Sequence, residues 1–210
     1  MKDDLYFYNE NHISKTMRLL FCSTNLGKTQ EIQYKFGTFI DIHNLLDVGC
    51  TEEIHETANT FEGNALIKAQ YGYDTFKVSC FSDDSGLEVK ALNNQPGVFS
   101  ARYAGVPKSD ERNMDKLLFE LKGLKDRTAC FKTVIVYIDS SGKAFSFEGK
   151  IEGEIIEEKR GEQGFGYDPI FQPKGYSKTF AEMDLEEKSK LSHRAKALEK
   201  FHAFLLKTIN

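Results

Sequence analysis

Phe21-Cys22-Ser23-Thr24-Asn25-Leu26-Gly27-Lys28-Thr29-Gln30-Glu31 carries an apolar run, Arg18–Cys22, through small polar residues into a helix-forming segment. The run reads as a buried strand. Gly27 to about Phe39 reads as a helix with Ile32, Phe36 and Phe39 at helical spacing. This order, strand to polar turn to helix start, also builds an anion site. A helix's first turn presents unpaired N–H groups and the positive end of its dipole. Ser23, Thr24 and Asn25 add side-chain donors, and Lys28 adds a formal charge on the same turn. The guest such a turn suits is a phosphate chain. The other reading is a plain capped turn, because the spacing matches neither the P-loop nor the dinucleotide glycine pattern.

Outward from that turn, strand-like and helix-like segments alternate. Ile40–Leu46 reads as a second strand, and Thr60 as the N-cap of a helix whose Phe61, Ala65 and Ala69 recur every four residues. Val78–Phe81 is strand-like, Ser82-Asp83-Asp84-Ser85-Gly86 has the composition of a turn, and Leu87–Lys90 resumes a strand. Ser109 to about Lys122 is an amphipathic helix. Thr128–Asp139 and Ala144–Ile156, joined by Ser140-Ser141-Gly142, form the clearest hairpin. A glycine-rich loop, Gly161–Gly166, leads to a short apolar piece at Pro169–Phe171. Ser192 caps a last helix with Leu198, Phe201, Leu205 and Ile209 on one face. The expectation is an α/β fold with a mixed sheet, because the hairpin is antiparallel while the first strands have helical crossovers.

The 210 residues suit one large domain or two joined lobes. With 28 Lys and Arg against 32 Asp and Glu, the net charge of −4 argues against non-specific nucleic-acid binding, which needs a basic face. It leaves room for a free nucleotide. Cys22, Cys50, Cys80 and Cys130 are widely spaced with no paired motif, so a reduced, cytoplasmic setting is expected rather than a zinc site. No segment reaches the roughly 18 continuous apolar residues of a membrane span. Residues 1–16 are polar with scattered aromatics and lack the pattern of a secretion signal. Met17 directly precedes the first strand. Residues 1–16 are therefore expected to be an unstructured extension, a cloning remnant or the result of a misassigned start, and 17–210 the folded domain.

Four further constellations carry chemistry. Asp83 and Asp84 at the end of a buried strand are costly unless paired, and a divalent cation pairs them; the competing reading is a solvated Asx-turn. Glu52, Glu53 and Glu56 are an acidic run that matters only if the fold brings it beside Asp84. Gly164-Phe165-Gly166-Tyr167-Asp168-Pro169 offers close backbone approach, aromatic faces for a base and an acid for ring N–H groups; a strained turn is the alternative. Lys188, His193 and Arg194 straddle a helix start, where cations oppose the dipole and make sense beside an anion; a basic surface turn is the alternative. Together these supply a phosphate cradle, carboxylates for a metal, a base-stacking loop and a cationic clamp.

In order and spelling these motifs resemble the inosine triphosphatase family, pyrophosphatases of deaminated purine nucleoside triphosphates. The resemblance runs from Met17 to the C-terminus. It rests on Ser23–Lys28 with Glu31, Thr60-Phe61-Glu62-Gly63-Asn64-Ala65 with Lys68, Ser82–Leu87, Pro96-Gly97-Val98-Phe99-Ser100-Ala101-Arg102-Tyr103, Gly164–Pro169 and Ser192-His193-Arg194. It implies a long mixed sheet with flanking helices in two lobes around a cleft, a homodimer, and Mg²⁺-dependent hydrolysis of inosine, deoxyinosine or xanthosine triphosphate to monophosphate and pyrophosphate. It puts Ser23, Thr24, Asn25, Leu26, Gly27 and Lys28 around the triphosphate. Asp84 becomes metal ligand and water activator, with Ser85 touching substrate. Phe165, Gly166, Tyr167 and Asp168 fall in the base pocket, and Lys188, His193 and Arg194 on phosphate and the purine six-oxygen. Glu56 falls at a second metal carboxylate, with Glu53 the alternative. The sequence departs from the usual pattern at Ala58, Gly63 and Gln163. The competing functions are a Maf-like pyrophosphatase of modified pyrimidine triphosphates and a non-catalytic nucleotide sensor.

Overall fold

The computed structural model describes residues 17–38, 40–52 and 54–209. The proposed extension at 1–16, Phe39 and Glu53 lie outside the described residues, as does the side chain of Ile209.

Among the described residues seven strands form one mixed sheet: β1 (Met17–Phe21), β2 (Ile40–Asn44), β3 (Cys80–Val89), β4 (Gln95–Pro96), β5 (Thr128–Ile138), β6 (Ala144–Ile155) and β7 (Phe171–Pro173). The order is β2-β1-β3-β5-β6-β7, with β4 pairing β3. The two parallel joints, β1 with β2 and β1 with β3, are those bridged by helices α1 (Leu26–Phe36) and α2 (Phe61–Phe76). From β3 onward every joint is antiparallel. Parallel neighbours need a crossover, whereas the β5–β6 hairpin turns at Asp139–Lys143, where the Asp139 carboxylate accepts the Ser141 and Lys143 N–H groups at 2.8 and 3.0 Å.

Helix α1 ends earlier than its periodicity predicts, because Gly37 adopts φ +59° and its N–H bonds to the Gln33 carbonyl. Helix α2 starts at the expected cap, with the Thr60 hydroxyl accepting the Gly63 N–H at 3.0 Å. Its Phe61, Ala65 and Ala69 are buried on Val134, Val136 and Ile138 of β5. Helix α3 (Asp110–Glu120) begins after the Ser109 cap. Helix α5 (His193–Ile209) begins after Ser192, whose hydroxyl accepts the Ala195 N–H at 3.1 Å. Leu198, Phe201 and Leu205 bury against Phe36, Phe81, Tyr137 and Phe147. Each such side chain contributes about 1.5–3 kcal/mol by leaving water.

One sequence expectation needs correction, and one helix is additional to those expected. Ser82–Gly86 is no turn: it is the middle of β3, which pairs with β5 without interruption from Cys80↔Ile138 to Val89↔Ala129. Turn propensity loses here because the ladder to β5 is continuous, side chains take up N–H groups on the other edge (Ser85 to Asp84, Leu87 to Ser100), and neighbouring cations pair the carboxylates. Gly86 serves close approach, since a side chain there would strike the Gly97 carbonyl and Ser100. In addition, helix α4 (Leu185–Leu191) precedes α5, with Asp184 and Glu187 forming a reciprocal capping box. The spelling Asp-x-x-Glu is its signal in the sequence.

Candidate active site

The parallel strands β1 and β2 end on the same side, and their outgoing loops form one wall of a cleft of about 920 Å³. Open α/β sheets bind ligands at this carboxyl edge. Ser23, Thr24, Asn25, Gly27 and Lys28 from the first turn, Glu56 from the loop after β2, and Asp84 and Ser85 from β3 line it. Phe165, Gly166, Tyr167, Asp168, Lys188, His193 and Arg194 line it from the opposite chain segments. Leu26 is the exception. It heads α1 exposed to solvent, and it is not part of the cleft wall.

The phosphate-type turn is organised by Asn25, whose side-chain oxygen caps α1 by accepting the Lys28 N–H at 3.0 Å. Asn25 N–H itself donates to the Ser23 hydroxyl at 3.2 Å. The Lys28 ammonium turns inward to Asp83 Oδ1 at 3.0 Å. Burial lowers the Lys28 pKa, and Asp83 offsets only part of that.

Asp83 and Asp84 project to opposite faces of β3 and meet different partners, which is the period-2 consequence of their being in a strand. Asp83, wholly buried, also accepts from Arg194 Nε at 3.1 Å. Burial alone would raise its pKa, but the Lys28 and Arg194 charges reverse that and hold it well below the usual carboxylate range. Arg194, 2 % exposed, also donates to Ser85 Oγ at 2.9 Å and to Glu31. The anion that its helix-start position calls for is therefore a pair of protein carboxylates, and the basic surface turn is excluded. Lys188 joins the same network, to Glu31 at 2.6 Å and Asp168 at 2.7 Å. Burial would lower its pKa, but those two carboxylates raise it.

Asp84 faces the cleft. It accepts from Asn64 Nδ2 at 3.1 Å and lies 3.7 Å from Lys68 Nζ. Lys68 also donates to Glu56, which Arg102 reaches at 3.4 Å. Burial pushes the Asp84 carboxyl up, and Lys68 and Lys28 offset only part of that. Two carboxylates from separate elements thus converge on one ammonium, and the more buried is short of positive charge. Among the described residues no three His, Cys, Asp or Glu side chains cluster closely enough to hold a metal. The donor set suits a small hard divalent cation all the same, since such an ion takes one or two carboxylates and fills its other positions with water and phosphate oxygens.

The base-type loop folds onto this floor. Asp168 Oδ2 accepts the Phe165 N–H at 2.9 Å, and Tyr167 donates to the Ser100 carbonyl at 2.9 Å. The Phe165 ring lies 5.1 Å from Lys188 Nζ and 5.7 Å from the Arg194 guanidinium carbon. His193 stacks on Phe131 with centroids 4.6 Å apart, and its buried Nδ1 has no partner. Burial, then the Arg194 and Lys188 charges, push its pKa well below the ordinary value, so the ring is neutral.

Lys68 and Arg102 also line the cleft, and Asn64 and Glu31 bond to residues that line it; the sequence reading gave none of the four a role of its own. Their signal is position: Asn64 and Lys68 stand one helical turn apart on α2, and Glu31 stands one turn beyond Gly27 on α1.

A family model described as the Ham1 family matches residues 19–204. The chain is 54 % identical over 181 residues to a dITP/XTP pyrophosphatase of Flavobacterium psychrophilum, covering 86 % of this chain and 95 % of that one. It is 47 % identical over 167 residues to the dITP/XTP pyrophosphatase of Bacillus subtilis, with 79 % and 84 % covered. The fold superposes on the Staphylococcus aureus Ham1 protein with a TM-score of 0.82 at 39 % identity, over 91 % of this chain and 99 % of that one. On the strength of these matches and the converging cleft residues, this chain belongs to the Ham1 family.

Proposed function

We propose that this protein hydrolyses deaminated purine nucleoside triphosphates (those of inosine, deoxyinosine and xanthosine) to the monophosphate and pyrophosphate, clearing them from the nucleotide pool. The observation that carries this reading is the convergence of the Asn25-capped turn, Asp84 with Glu56, and the Phe165–Asp168 loop on one cleft. The relatives' names supply the substrate class. The same reading includes Mg²⁺ as cofactor, a homodimer, a cytoplasmic setting, and residues 17–210 as a single two-lobed domain. The resemblance to the inosine triphosphatase family supports these features.

Asp84 and Glu56 would hold the cation, which when bound withdraws charge from the phosphate chain. The α1 N-terminus with Ser23, Thr24, Asn25 and Gly27 binds the chain's oxygens and steadies the departing pyrophosphate. Lys28 and Lys188 add positive charge at the walls. Asp84 accepts the proton of the attacking water as oxygen bonds to the α-phosphorus and the α–β bridge breaks.

Phe165 and Tyr167 supply faces for the base. Arg194 commits one N–H each to Asp83, Glu31 and Ser85. A guanidinium carries five, so donors remain for the purine six-oxygen. Adenine presents an amino group there, and the unpaired buried donor costs it on the order of 1–3 kcal/mol.

The test is pyrophosphate release across inosine, xanthosine, adenosine, guanosine and modified pyrimidine triphosphates, with and without Mg²⁺, for the native protein and Asp84→Asn. The expected result is Mg²⁺-dependent turnover of the first two, lost in Asp84→Asn with folding retained. Preferential turnover of modified pyrimidines, or tight triphosphate binding without turnover, would overturn the proposal.

A further inference from the structure

The start of α3 carries Asp110 and Asn113, two polar side chains that the chemistry above does not use. Asp110, exposed at the cleft rim, accepts the Gly166 N–H on Oδ2 at 2.7 Å. Gly166 stands between Phe165 and Tyr167, with φ +64°. One helical turn on, Asn113 is almost fully buried. Its Oδ1 accepts the Ala104 N–H at 2.7 Å, and its Nδ2 donates to the Ala101 carbonyl at 3.2 Å. Asp110 and Asn113 therefore tie two different loops of the cleft to one rigid element. An acid in a first helical turn ordinarily needs no explanation beyond the dipole. Here its carboxylate is directed to a backbone N–H 56 positions away in sequence, inside the loop that carries Phe165 and Tyr167.

We infer that Asp110 is a positioning residue for base recognition. By anchoring Gly166 it sets where Phe165 and Tyr167 stand relative to the Asp84 side of the cleft. The inference rests on the nucleotide reading of the cleft. Asp110 touches neither Asp84 nor the Asn25-capped turn, so releasing it loosens the grip on the base and leaves the bond-breaking groups in place. That is a loss of uniform binding, which appears in KM rather than in kcat. A hydrogen bond from a backbone N–H to a carboxylate is worth about ten-fold in affinity.

The experiment compares Asp110→Ala, which removes the acceptor, with Asp110→Asn, which keeps one. Steady-state kinetics on deoxyinosine triphosphate and amide hydrogen exchange at Gly166 without nucleotide are measured for both. For Asp110→Ala the expectation is a KM raised about ten-fold, kcat within about two-fold of native, and faster exchange at Gly166. Asp110→Asn should return both readouts most of the way. An Ala variant with native KM and native Gly166 protection overturns the inference, as does a fall in kcat at unchanged KM. If native protein turns over no deoxyinosine triphosphate, the nucleotide reading fails instead. The exchange arm then still decides whether Asp110 anchors the loop, and the inference about base recognition falls with its substrate.

Discussion

Gly149→Ala places one methyl group where the sheet touches the start of α5, and its effect should reach the site from the back. Gly149 lies on β6 opposite Thr133. A Cβ there would come far inside van der Waals contact with the His193 carbonyl oxygen and the Ala197 nitrogen, and would stand 3.1 Å from Ala197 Cα. All three are backbone atoms, so no rotamer change relieves the clash. Ordinary contact starts near 3.4 Å, and relief requires the first turn of α5 to back off by roughly 1 Å. That turn carries His193 and Arg194. The Arg194 Nε bond to Asp83, now 3.1 Å, would leave hydrogen-bond range. Overpacking costs about 1–3 kcal/mol, and losing a bond between charged groups costs about 1.5–3 kcal/mol more. A 1 Å misplacement of binding groups lowers turnover on the order of 10²-fold. Urea denaturation measures the first effect and pyrophosphate release from deoxyinosine triphosphate the second. Native turnover and a native midpoint in Gly149→Ala would refute the claim that the α5 start is held by backbone contact through a glycine.

Two further outcomes follow from the buried charges. Asp83→Ala leaves Lys28 and Arg194 facing each other without their shared carboxylate, and should destabilise the fold by about 3–5 kcal/mol. Chemical denaturation checks this, and a loss under about 1 kcal/mol would show that water or Glu31 compensates. His193 is neutral when folded, with its pKa depressed below the unfolded value. Its contribution to stability is therefore complete above about pH 6.5 and is lost as pH falls from there toward the folded pKa, by about 1.4 kcal/mol per pH unit. His193→Phe, which keeps the stack on Phe131, should flatten that part of the native profile between pH 6.5 and 5.5. Parallel profiles for the two proteins would contradict this.

Much of the fold was legible because caps and periodicity are local. Thr60 and Ser192 each accept the N–H that their position predicts, and the β5–β6 hairpin turns at the expected residues. Ser82–Gly86 misled because its turn composition is local while its strand conformation comes from β5, about 50 residues later. The residues that line the cleft, Leu26 apart, were legible as motifs, and their partners were not. Nothing in the spelling of Asp83-Asp84 says that one carboxylate meets Lys28 and Arg194 while the other faces Lys68. That division follows once the pair is placed in a strand, because successive side chains then leave on opposite faces.

The same division governs how a polyanion could bind. Lys28, Lys188 and Arg194 are paired with Asp83, Glu31 and Asp168, and Lys68 and Arg102 are paired with Glu56 and Asp84. Three cations against three carboxylates on one side, and two against two on the other, leave no large excess of positive charge in either cluster. A triphosphate entering such a cleft meets cations already engaged, at distances that protein carboxylates have optimised. The α1 N-terminus supplies directional donors but only about half an elementary charge. A divalent cation at Asp84 and Glu56 would change the balance in two ways. It would satisfy the carboxyl that burial has left short of charge, and it would free Lys68 from bridging the pair. On the proposed reading, the charge pairing of the cleft would make nucleotide affinity depend on the divalent cation at Asp84 and Glu56.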